Sequence, residues 1–276
     1  MKIDSHQHFW RYSPTEHVWM TEEMAAIRRD FLPGDLQPLL EETGFDGCVA
    51  VQARQSLEET RWLLGLAAEH QFIRGVVGWV DLRSPDLPAQ LAELAAAPKL
   101  VGVRHVVHDE PDDGFMLGDR FQGGLARLSD HGLAYDLLLF PKHLPVAVRL
   151  VSACPDQRFV LDHIAKPAIA AGLVSPWRED LRELARYPHV SCKLSGMVTE
   201  ARWRDWKRDD FTRYLDIVLE AFGPERVMIG SDWPVCTLAA GYAATLGLVV
   251  DYVAAHASGH AAGILGGNCA RIYRLP

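Results

Sequence analysis

The sequence predicts an α/β fold: a single, distorted (β/α)8 TIM barrel occupying residues 1–276, with its working site at the C-terminal ends of the strands. Three observations carry this expectation. Eight short runs rich in β-branched residues recur along the chain, helical patterns lie between most of them, and 276 residues is a length that one large barrel needs. An open doubly wound sheet is the competing arrangement. It usually announces a glycine-rich phosphate loop after an early strand, and neither G-x-G-x-x-G nor a P-loop is present.

The strand candidates are KIDSHQH (2–8), DGCVAVQA (46–53), IRGVVGWVDL (73–82), LVGVRHVV (100–107), AYDLLLF (134–140), RFVLDHIA (158–165), HVSCKLSG (189–196) and RVMIGSDWP (226–234). The helices between them carry their own signals. Ser56 opens a helix with Glu59 three residues on, a capping box. Pro85 directly after Ser84 suits a helix start. Leu144, Ala147, Val148 and Val151 share one helical face, as do Phe211, Tyr214, Leu215, Val218, Leu219 and Phe222. Residues 109–119 and 172–177 read as long loops. No internal repeat, low-complexity segment or interdomain linker interrupts the pattern.

Composition excludes several function classes. The net charge of −8 makes the chain a poor nucleic-acid or anionic-membrane binder. No apolar run is long enough to span a bilayer, and MKIDSHQHFW lacks the apolar core of a signal peptide. The five cysteines are scattered, with no C-x-x-C pair, which fits small buried hydrophobes in a reduced, cytoplasmic protein.

In such a barrel the chemistry sits where strands end. The ends carry His6-Gln7-His8, then Gln52 and Arg54, Trp79 and Asp81, and Arg104, His105 and His108; the later strands bring Asp136 with Lys142 and His143 beyond it, Asp162-His163, Lys193 with Ser195, and Ser231-Asp232-Trp233. Strand alternation turns His6 and His8 to the same side. With His163 and Asp232 they would bring four groups from three strands to one point. Three or four N/O donors suffice for a single Zn²⁺. The bland readings are satisfied strand histidines, Asp232 as a helix cap, and Arg104 as the partner of Asp81 or Asp136.

This constellation resembles the amidohydrolase superfamily, along the whole chain from DSHQHFW through LDHIAKP, KLSG and IGSDWP to GGNCARIYRL. The set looks like the lactonase branch, which includes L-fuconolactonases, L-rhamnonolactonases and a pyrone-dicarboxylate lactonase. Metal-dependent members add a histidine on strand five, and two-metal members a lysine on strand four. Here strand five has no histidine and strand four has Arg104 and His105, which argues against a binuclear centre. The resemblance implies a lactone-opening hydrolase that either needs no cofactor or holds one weakly bound zinc.

Opening a lactone requires an activated water and donors for the oxyanion. Asp232 is the expected base, with Arg104, His6, His8 and His163 on the carbonyl side. His6, His8, His163 and Asp232 are also the metal ligands if an ion is bound. Trp10, Gln52, Trp79, His105, Asp136, Lys193 and Trp233 are the expected substrate-binding residues. One clear arginine favours a neutral aldonolactone, such as L-fuconolactone or L-rhamnonolactone, over a dicarboxylate. The rivals are a mononuclear metal-dependent amidohydrolase or decarboxylase and a non-catalytic ligand-binding barrel. A small-molecule substrate is expected, with no nucleic-acid or membrane partner; whether the protein forms a homo-oligomer is left open.

Overall fold

The computed structural model describes residues 1–276. Eight parallel strands lie side by side in chain order: β1 Ile3–Gln7, β2 Gly47–Val51, β3 Ile73–Gly78, β4 Leu100–Val106, β5 Ala134–Leu138, β6 Phe159–Leu161, β7 Val190–Leu194 and β8 Val227–Ile229. Helices connect them: α1 Pro33–Thr43, α2 Leu57–Glu69, α3 Leu87–Leu94, α4 Asp119–Asp130, α5 Leu144–Ala153 and α6 Trp177–Ala185 follow β1 to β6 in turn. After β7 come the short α7 Met197–Glu200 and α8 Asp209–Phe222; after β8 come α9 Tyr242–His256 and α10 Asn268–Tyr273. This is the (β/α)8 arrangement. No helix is long and apolar enough to cross a membrane.

The seam between β8 and β1 lies at the upper end of the barrel. There the Asp232 N–H donates to His6 O at 2.7 Å and the His8 N–H donates to Trp233 O at 2.6 Å. Closure of the sheet and placement of three candidate site residues are therefore one event. At the other end, Ile3, Val49, Val77, Val101, Ala134, Val160 and Met228 form an apolar floor, sealed by Cys269, Ile272 and Tyr273 of α10. The β1–β2 register is irregular between Asp4 and Gln7, which lets Ile3 join the floor while His6 also stands inside the barrel. The larger apolar core fills the space between strands and helices.

Three helical details differ from the sequence reading. Ser56 accepts from the Glu59 N–H at 3.3 Å as expected, but the Glu59 carboxylate reaches past Ser56 to the Ala53 and Arg54 N–H groups. The helix expected from Pro85 begins at Leu87, because Ser84 holds a turn by accepting from the Asp86 N–H. In α5 Leu144, Ala147 and Val151 are buried as expected, while Leu150 is buried in place of Val148, which is only half-buried. The face read for α8 is the one that packs, with Leu219 at its margin.

Candidate active site

Above the floor the barrel interior turns polar. β1 supplies His6, β4 Arg104, β5 Asp136 and β7 Lys193, and Asp162 follows directly on β6; all five are buried. Lys193 Nζ lies 2.6 Å from Asp136 Oδ2 and 3.0 Å from Asp162 Oδ1, and Arg104 Nη1 donates to Asp162 Oδ2 at 3.0 Å. The Tyr273 hydroxyl reaches up from α10 to Asp136 at 2.7 Å. Two cations and two carboxylates at this spacing balance one another, which is the condition for burying them. Burial alone would push the Asp162 carboxyl up, but Lys193, His6 and Arg104 outweigh it and hold it well below the usual range.

One layer higher, four donor atoms converge. His6 Nε2 is 3.2 Å from His8 Nε2; Asp232 Oδ1 is 3.3 Å from His8 Nε2 and 3.8 Å from both His6 Nε2 and His163 Nε2. The opposite ring nitrogens are held from behind: His8 Nδ1 by Val51 O at 2.8 Å, His163 Nδ1 by Ser195 Oγ at 2.9 Å, and His6 Nδ1 beside Asp162 Oδ1 at 3.2 Å. Burial holds the His6 and His163 imidazoles neutral, well below the ordinary histidine value, against the pull of Asp162 and Asp232. For Asp232, burial pushes the carboxyl up, while His163, His8 and Lys166 together bring it below the usual value, so it is ionised at neutral pH.

A tetrahedral zinc with bonds of about 2.0–2.1 Å sets its ligand atoms about 3.3 Å apart. His6 Nε2, His8 Nε2 and Asp232 Oδ1 stand 3.2–3.8 Å apart as a buried N₂O set, His163 Nε2 approaches the same Asp232 oxygen at 3.8 Å, and carbonyl, hydroxyl and carboxylate groups support the rear nitrogens. The residues present fit one such ion. No histidine of β5 joins them, in line with the sequence reading against a two-metal centre.

These groups sit at the base of a cavity of about 400 Å³, on whose wall His8, Arg104, His163 and Asp232 all lie. Seven expected substrate-binding residues are placed elsewhere, and each placement has a physical reason. With Arg104 facing inward, alternation turns His105 outward, where it stacks on Phe115, approaches Glu110 at 2.6 Å and accepts from the Trp79 indole at 3.2 Å. That accounts for His105 and Trp79. Trp10 and Trp233 follow strand ends and pack into the core around Phe31, with the Trp10 indole donating to Arg29 O. Gln52 accepts from Arg104 through its carbonyl groups and orients the guanidinium. Asp136 and Lys193 lie in the charged layer below. Arg104 pairs with Asp162, rather than with Asp81 or Asp136, and the Asp232 side chain caps no helix.

Sequence reasoning named Asp162 at its strand end but gave it no role, and it passed over Lys166, although both stand in LDHIAKP beside His163. It also passed over Asp4, whose carboxylate accepts from Ser231 N and Oγ and from the Tyr242 hydroxyl and so braces the β8 end. The backbone explains Asp162 and Lys166. His163, Ile164, Ala165 and Lys166 all have positive φ (54°, 49°, 60° and 50°), a left-handed turn closed by the Lys166 N–H donating to His163 O at 2.8 Å. Gly196 makes room for it: at φ 61°, a Cβ there would fall 2.4 Å from His163 Nδ1.

A family model described as amidohydrolase matches residues 3–275. The chain is 42% identical to an L-fucono-1,5-lactonase of Burkholderia multivorans over 287 aligned positions, covering 100% of this chain and 97% of that one. It is also 42% identical to an L-fucono-1,5-lactonase of Burkholderia ambifaria, covering 86% and 82% respectively. A solved amidohydrolase structure from Burkholderia multivorans with bound zinc superposes with a TM-score of 0.95, at 43% identity and full coverage of both chains.

Proposed function

The chain belongs to the amidohydrolase family, and from that premise we propose that it is a lactonase, a hydrolase that opens the ester ring of a sugar-acid lactone such as L-fuconolactone. The observation that carries this reading is the ionised Asp232 carboxylate held 3.3–3.8 Å from three imidazoles on the wall of the cavity at the strand ends. The identity to two L-fucono-1,5-lactonases supports the sugar. One clear cavity arginine, Arg104, supports a neutral substrate over a dicarboxylate.

Asp232 takes a proton from water as the water oxygen adds to the lactone carbonyl carbon. The carbonyl oxygen gains the negative charge, and Arg104 with the His6, His8 and His163 face stabilises it. When the intermediate collapses, the carbonyl re-forms, the bond to the ring oxygen breaks, and Asp232 returns its proton to that oxygen. The product is the open hydroxy acid, which ionises and releases one proton at neutral pH. A zinc ion, held by some of His6, His8, His163 and Asp232, would polarise the carbonyl as a Lewis acid. We place the whole activity in one unit, residues 1–276. The five free thiols support a reducing, cytoplasmic setting.

The test is proton release from L-fuconolactone, L-rhamnonolactone and related aldonolactones, with enzyme stripped by chelator and with Zn²⁺ restored. Turnover by stripped enzyme assigns the imidazoles directly to the carbonyl; turnover that returns only with zinc assigns them to the ion. Asp232→Asn is expected to lower kcat by about 10²–10⁴-fold. Absence of turnover on every lactone, with ligand affinity unchanged in Asp232→Asn, would identify a binding barrel instead.

A further inference from the structure

The reaction just described leaves one ion pair of the cavity wall unexplained. Lys166 Nζ lies 2.9 Å from Glu200 Oε1, with the two side chains only 16% and 22% exposed. Both belong to the cavity wall, together with Trp203. Resting on the lactonase reading, we propose that Lys166, Glu200 and Trp203 grip the ring hydroxyls and the C–H face of the substrate, and so select polyhydroxylated lactones over unsubstituted ones.

The backbone places Lys166 there at a cost. Left-handed conformation is unfavourable for any non-glycine residue, and four occur in succession, one of them the β-branched Ile164. The turn is held by packing: Ile164 and Ala165 are buried, and the Trp177 indole donates to Ile164 O at 2.7 Å. Residues three apart in so tight a turn share a side. The conformation that brings His163 to the cavity therefore brings Lys166 as well. Glu200 comes from a different element, the end of α7 after β7.

The pair keeps unused capacity. Lys166 has three N–H groups and spends one on Glu200, and Glu200 Oε2 has no partner in the protein. A carboxylate can accept from two adjacent hydroxyls while an ammonium donates to their oxygens. Trp203 lies three residues beyond Glu200, and its indole is fixed by donating to Thr199 O at 2.9 Å. That gives a flat apolar surface beside the charged pair. A sugar ring presents the complementary mixture of hydroxyls and C–H bonds. Asp232, the three imidazoles and Arg104 are assigned to the water and the carbonyl, and Lys166 acts on Asp232 through its charge alone, which leaves its remaining N–H groups for the substrate.

The experiment compares kcat and KM for L-fucono-1,5-lactone and for δ-valerolactone, which has the same ring without hydroxyls. Wild type, Glu200→Gln and Lys166→Met are measured, with circular dichroism melts to establish folding. The wild type should prefer the sugar lactone. Each variant should reduce that preference, as a ratio of kcat/KM values, by about tenfold or more, chiefly through KM for the sugar lactone. If Lys166→Met does not fold, Trp203→Leu reads the same ratio. Equal losses on both substrates would mean a structural role and overturn the proposal, as would an unchanged ratio. A wild type that opens neither lactone refutes the lactonase reading and this proposal together. A wild type active on lactones whose selectivity survives the substitutions refutes only the proposal.

Discussion

One oxygen of Asp162 lies 3.2 Å from His6 Nδ1 and 3.0 Å from Lys193 Nζ, and the other accepts from Arg104 at 3.0 Å. Removing that charge leaves Arg104 without its carboxylate and Lys193 with one instead of two. Asp162→Asn is expected to cost about 3–5 kcal/mol of stability, read from denaturant unfolding. His6, His8, His163 and Asp232 were legible in the sequence because they stand at the ends of three strands and obey or follow strand alternation. Asp162 was not singled out because it adjoins His163. In an extended strand neighbours face opposite sides, and only the left-handed turn lets both serve the interior. His105 shows the reverse error, since inward-facing Arg104 turns it outward.

At the scale of elements, all eight strands were legible from β-branched runs, since parallel strands buried on both faces leave that imprint. Helix starts were less so. The segment at Ser84–Asp86 forms a turn before α3, and proline composition alone does not separate a turn from a first helical residue. The left-handed turn at 163–166 gives no glycine signal of its own. Its signature lies in the glycine opposite, Gly196, whose missing side chain accommodates His163. Gly196→Ala should therefore displace His163 and strain a residue at φ 61°. We expect loss of stability of about 1–2 kcal/mol with a fall in kcat/KM, from thermal melts and lactone assays on the same preparation.

For the whole molecule, strands β1, β6 and β8 each contribute to one point, with α10 sealing the barrel beneath it. An ion bound there would tie distant parts of the chain together and favour the folded state by mass action. At a hundred times its dissociation constant, zinc is expected to add about 2.7 kcal/mol, seen as a rise in Tm that chelator reverses. His8→Ala should diminish that rise, and the measurement is independent of turnover.

The seam adds a consequence in time. Asp232 meets His6 and His8 across more than two hundred residues, and the backbone hydrogen bonds that close the barrel are those that set the three side chains in place. A nascent chain that already displays H-x-H has no site until its eighth strand arrives. Half-made protein can therefore neither consume substrate nor assemble the four-donor set, and recovered activity after refolding marks the moment the two ends of the barrel meet.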